Sequence, residues 1–116
     1  MIADRNPQVV SEPTSPHYDS MIRFHLGPTD IHAHLAARMA QRGVRADEVE
    51  QVVNDGWLAI DVKPGMEGRV KVFPYDAEWE GKLFAEKEVT VYYRREEARI
   101  VVLTVKARYG NGFPRG

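Results

Sequence analysis

The chain has no cysteine, which removes disulfides, thiolate nucleophiles and cysteine-containing zinc sites. No apolar run approaches the roughly 20 residues that cross a bilayer. The opening residues, MIADRNPQVV, lack the basic and apolar stretches of a secretory leader. A cytoplasmic protein without membrane contact is therefore expected. An excess of one charge is also missing, since 16 Lys and Arg stand against 17 Asp and Glu for a formal net charge of −1. That balance is unlike a strongly basic nucleic-acid binder. No GxSxG, Walker-type or dinucleotide fingerprint occurs, so no cofactor is expected.

The 116 residues, 43% apolar and 28% charged, suit one globular domain with a single core. The charge is unevenly spread. Residues 44–80 hold nine acidic and four basic side chains, whereas residues 94–116 carry Arg94, Arg95, Arg99, Lys106, Arg108 and Arg115 against Glu96 and Glu97. A locally basic end of this kind can meet phosphate, although a solvated face reads the same way.

Residues 1–19 hold Pro7, Pro13 and Pro16 without periodicity and read as a flexible leader; residues 20–110 read as the domain and 111–116 as a loose tail. Met21 to Leu26 alternates like a short strand. With Thr29 or Asp30 as N-cap, Ile31 to Arg42 has the helical stripe Ile31, Leu35, Met39 and a stop at Gly43. A second helix is predicted near Ala46 to Asn54, with Asp47, Glu48 and Glu50 at its start and Val49, Val52 and Val53 as its apolar face.

From Trp57 the period becomes two. Trp57 to Val62 and Arg69 to Tyr75 read as partner strands, and Asp76 to Glu86 as a loop carrying Trp79 and Phe84. Those two aromatics suit either a stacking platform or the cover of a sheet edge. Lys87 to Arg95 and Arg99 to Tyr109 are the clearest strands. A three-residue loop, Glu96 to Ala98, would pair Tyr93 with Val101, Val91 with Leu103 and Val89 with Val105 on the face toward the helices. The opposite face would then show Glu88, Thr90, Tyr92 and Arg94 beside Ile100, Val102, Thr104, Lys106 and Arg108, with Thr90 facing Thr104 and Glu88 facing Lys106. The expected fold is α+β: a helical hairpin on one face of an antiparallel sheet of about four to five strands.

The run from His34 to Val44, HLAARMAQRGV, resembles the HAxxRMxxRGI opening of the family called domain of unknown function 4258. GKLFAEKEVTVYYR (Gly81 to Arg94) and VVLTVKARYG (Val101 to Gly110) resemble its closing strands. The resemblance covers about residues 22–113, with Leu35 standing where the family usually has alanine. That family is similar in outline to RelE/ParE-type and BrnT toxins. It implies a RelE-like fold, an exposed sheet face that in many RelE-type members cuts messenger RNA, and a small antitoxin-like partner.

A metal-independent ribonuclease needs a proton acceptor, cations for the phosphorane and an acid for the leaving oxygen. The candidates are His34, Lys106, Arg108 and Tyr109, with RNA contacts from Thr90, Tyr92, Arg94, Thr104 and Arg38. Each also has a purely structural role open to it, such as a cross-strand pair or an aliphatic stem laid along the core. Arg38 and Arg42 in particular can pair with acids of the second helix. His32 and His34 invite a metal together with His25 or Asp30, but residues i and i+2 of a helix point about 200° apart, so no metal site is expected. The rival to RNA is a non-catalytic domain whose exposed face receives a partner protein.

Overall fold

A computed structural model describes residues 23–116; the expected leader and the start of the expected first strand, Met21 and Ile22, lie outside the described residues. Among the described residues, Arg23 to Leu26 joins no sheet. Its backbone is satisfied by side chains of the second helix instead. Phe24 N–H donates to Asn54 Oδ1 at 2.8 Å, Asn54 Nδ2 donates to Phe24 O at 3.0 Å, and Leu26 N–H donates to Glu50 Oε2 at 2.7 Å.

Pro28–Asp30 forms one 3-10 turn, and helix α1 spans Ala33–Arg42. Its N-cap is His32, not Thr29 or Asp30: the His32 Nδ1 accepts the Leu35 N–H at 3.3 Å. Asp30 is engaged locally, accepting the Gly27 N–H at 2.8 Å. Gly43, at φ +70°, ends α1 in the left-handed region, where Val44 N–H returns to Met39 O at 2.9 Å. Helix α2 spans Ala46–Asp55 and opens with Arg45 N–H donating to Glu48 Oε1 at 3.0 Å.

Four strands follow, β1 (Trp57–Leu58), β2 (Glu67–Trp79), β3 (Lys82–Glu96) and β4 (Arg99–Gly110), in one antiparallel sheet of order β1-β2-β3-β4. Among the described residues the fold is thus α+β, with two helices against a four-stranded antiparallel sheet. The strand expected over Trp57 to Val62 pairs only at its first two residues. The segment expected to be a loop is mostly sheet, because β2 and β3 run on to a two-residue turn at Glu80 (φ 51°) and Gly81 (φ 86°). Successive positive φ values give the turn a twist that matches the strands it joins.

The register of the last hairpin differs from expectation. Glu96 pairs with Arg99 across a two-residue turn, Glu97-Ala98, and Arg94 faces Val101. A bulge then follows, since Tyr92 faces Thr104 while Tyr93 faces Val102, leaving Leu103 as the extra residue. It turns the pattern by one residue. Ile100 and Val102 therefore join the core face, whereas Val101 and Leu103 leave it. Below the bulge Val91 faces Val105, Thr90 faces Lys106, Val89 faces Ala107 and Glu88 faces Arg108. The expected pairs Tyr93–Val101, Val91–Leu103, Thr90–Thr104 and Glu88–Lys106 do not form. The helices cover Val89, Val91, Tyr93, Val102 and Val105 with Leu35, Met39, Val49, Val52 and Val53. Burying each such side chain is worth about 1.5–3 kcal/mol.

Candidate functional site

Period-two alternation brings Thr90, Tyr92, Thr104, Lys106 and Arg108 together on the face the helices leave open. That face is less bare than the sequence suggests. Thr90 is only 8% exposed and Tyr92 9%. The segment after β1 folds over them: Ala59 N–H donates to Gly68 O at 2.9 Å. A Cβ on Gly68 would lie 3.0 Å from Ala59 Cβ and 3.3 Å from Tyr92 Cδ1. Glycine at 68 is what lets this segment lie against β2 and the Tyr92 ring. Lys106 Nζ sits 5.3 Å from the centroid of that ring.

The cations of the face divide into engaged and free. Arg108 Nε donates to Glu88 Oε1 at 2.8 Å and its guanidinium lies 4.9 Å from the Phe113 ring centroid. Arg94 donates to Glu96 beside it. The Arg108 guanidinium is held charged above its usual range, first by its hydrogen bond to Glu88 and then by that residue's charge. Lys106 makes no ion pair among the described residues. Neither does Arg42 at the end of α1, and its Nε is buried without a hydrogen-bond partner among those residues. The acids of α2 do not pair with Arg38 or Arg42; Glu48, the buried one, is taken by Lys87 and Arg45. Arg42, Lys106 and Arg108 line one groove of about 610 Å³ with Thr90 and Tyr92. Leu58 and Ile60 wall it on the other side, and they are 67% and 99% exposed.

The four residues expected to share catalysis are not assembled. Tyr109 sits on the helix face, where its hydroxyl donates to Arg42 O at 2.6 Å and its ring stacks on Trp79 at 4.4 Å. Burial pushes its phenol up to about 12, with Tyr75, Glu48 and Glu80 adding to the shift. Its proton is thus both retained and engaged. His34 is exposed on α1, on the other side of the sheet from Lys106 and Arg108. Arg38, also on α1, donates to Gln41 Oε1 at 3.1 Å and does not reach the open face.

The His32 and His34 rings do not point apart as expected: they stack with centroids 6.2 Å apart, because His32 precedes helix α1 and the helical rotation between residues i and i+2 does not apply to it. His32 is engaged at both nitrogens. Its Nδ1 accepts from Leu35 and its Nε2 donates to Val102 O at 3.2 Å, a consistent tautomer that pins α1 to β4. No group of three His, Cys, Asp or Glu among the described residues is arranged for an ion. No helix among them is long and apolar enough to cross a membrane.

Sequence reasoning missed a buried ion pair. Lys87 Nζ lies 2.8 Å from Glu48 Oε1 and also donates to Gly43 O, with the Tyr75 and Tyr109 rings 5.8 and 5.7 Å away. The signal was present: Lys87 shares the apolar parity of Val89, Val91 and Tyr93. Trp79 packs against Gly43 and stacks on Tyr109, so it serves neither as a free platform nor as part of the open face. No family model, curated protein or solved structure matches the chain.

Proposed function

We propose that this chain is a protein-interaction domain of RelE-like outline, whose open sheet face receives an amphipathic, acidic segment of a partner polypeptide. The observation that carries it is the pairing, in one groove, of an exposed apolar wall with cations that lack carboxylate partners among the described residues. Leu58 and Ile60 form the wall; Lys106 and Arg42 are the cations. An isolated exposed leucine is ordinary, but two flanking a groove mark a contact surface. A donor buried without an acceptor favours whatever supplies one. The resemblance to the domain of unknown function 4258 family supports the same reading, since toxins of this outline pair with small antitoxin proteins.

Salt-dependent RNA binding is the second reading, favoured by the same two cations. It has less support, because Arg94 and Arg108 are neutralised locally and the Tyr92 ring has no free face for a base. A ribonuclease built from His34, Lys106, Arg108 and Tyr109 would need residues from both sides of the sheet at one phosphate.

The test is fluorescence anisotropy with three probes: a leucine/glutamate amphipathic helix, its leucine/lysine counterpart and a single-stranded RNA. The acidic helix should bind, and Ile60→Asp or Lys106→Glu should weaken it about tenfold, equivalent to about 1.4 kcal/mol. RNA bound in preference to the acidic helix, with affinity falling steeply as salt rises, would overturn the reading in favour of the nucleic-acid one.

A further inference from the structure

Residues 111–116 have no helix or strand, yet they are tied to the sheet at several points. Asn111 Oδ1 accepts the Ala85 N–H at 2.8 Å. Phe113 N–H donates to Glu86 Oε1 at 2.9 Å and Arg115 Nη2 donates to Glu86 Oε2 at 2.5 Å, so both oxygens of one carboxylate hold the segment. The Phe113 ring lies on Gly110, where a Cβ would come within 2.8 Å of its Cζ, and Arg108 covers the ring. Only a residue without a side chain at 110 leaves that seat open. The result is that Pro114 and Gly116 line the open-face groove beside Arg108.

We propose that residues 111–116 act as a strap across one end of the open-face groove, an internal occupant that an incoming partner must displace. The inference rests on the reading of that groove as a binding face. Its contacts are of the kind that hold a segment without locking it. Arg115 in the Arg115–Glu86 pair is half exposed, so the pair is open to screening by salt. Ordering six residues opposes those contacts with a comparable loss of conformational entropy. The strap thus sits near balance and can yield to a partner of ordinary affinity. The Glu86 carboxyl is held below its usual range, chiefly by the Phe113 N–H and then by Arg115. The clasp therefore stays charged in weakly acidic solution. Arg108 links strap and groove, because the guanidinium that covers Phe113 also holds Glu88, a groove-lining residue.

The strap is tested on the full chain with anilinonaphthalene sulfonate, a dye whose fused rings suit the Leu58/Ile60 wall and whose sulfonate suits Lys106. Glu86→Gln and Phe113→Ala each release one clasp and should tighten dye binding about three- to tenfold, the affinity lost when a competent state is only fractionally populated. Phe113→Ala also removes apolar surface, so a gain in dye binding there cannot come from the freed ring. Ile60→Asp, alone and combined with each strap variant, should weaken binding. If Ile60→Asp weakens the dye while neither strap variant tightens it, the strap is wrong and the binding face stands. If Ile60→Asp has no effect, the binding face fails and the strap falls with it.

Discussion

The two faces of β3 are made by alternate residues of one strand, yet they treat charge in opposite ways. On the helix face Lys87 and Glu48 are 2% and 3% exposed and bonded to each other. On the open face Arg108 meets Glu88, and Arg94 meets Glu96, with the guanidinium groups in water. The chemistry is the same and the stakes differ. A buried pair that loses one member leaves a charge with no solvent, whereas an exposed pair merely hands its partner back to water. The helix face is therefore where substitutions unfold the protein. On the open face their cost to the fold is small.

Glu48→Ala should break that contrast most severely. It strands the Lys87 ammonium and removes the acceptor for the Arg45 N–H, and a loss of about 3–5 kcal/mol is expected from urea denaturation. Adding Lys87→Met should recover much of it. A Glu48→Ala protein as stable as the parent would show that the buried pair does not hold the helix face together.

Gly43→Ala comes next. Left-handed backbone costs about 1–2 kcal/mol for a residue with a Cβ. That Cβ would also lie 2.7 Å from Trp79 Cζ3 and 2.8 Å from the Tyr109 hydroxyl, an overpacking of about 1–3 kcal/mol more. The midpoint of thermal unfolding reads both together.

Tyr109 sharpens the comparison through pH. Its folded value is about 12 against an ordinary 10.0. Between those limits the unfolded chain has released a proton that the folded chain keeps. Its contribution is therefore complete below pH 10 and is lost as pH rises toward 12. Two units correspond to at most about 2.7 kcal/mol, reduced because the ring is only partly buried. Tyr109→Phe should flatten the fall in urea midpoint over that window. An unchanged fall would assign the loss to other groups.

Smallest is the effect of Arg94→Ala on the open face, within about 0.5 kcal/mol by the same denaturation measurement. A loss as large as that of Glu48→Ala would erase the distinction between the faces.

Much of this layout was legible before any coordinates. The valines of α2 and the Leu35–Met39 stripe of α1 announce a helical face, Gly43 announces the stop, and Val89, Val91 and Tyr93 announce a core-facing strand. Thr90, Tyr92, Thr104, Lys106 and Arg108 do share the opposite face. From Ile100 to Leu103 the structure departs from unbroken alternation. A bulge inserts one residue without any mark in hydrophobic periodicity, because VVL offers an apolar residue in either register. The loop expected around Trp79 and Phe84 is sheet for a related reason. Glu80-Gly81 is a weak turn signal inside a polar stretch, and its aromatics pack on Tyr109 from far along the chain.

What the sequence determined by itself is local: the kind and order of the elements, and which alternate residues of a strand can look the same way. Those follow from backbone periodicity and from residues that start or stop it, all within a few bonds of one another. Only the tertiary structure decided that the Tyr109 hydroxyl meets Arg42 O, that Lys87 is buried against Glu48, that residues 59–62 lie over Tyr92, and that Phe113 and Arg115 meet Glu86. These contacts join residues tens of positions apart, such as Lys87 and Gly43 at a separation of 44. Which side chain meets which at that range depends on how the helical pair docks and where one bulge falls, and neither is written in the pattern of neighbours.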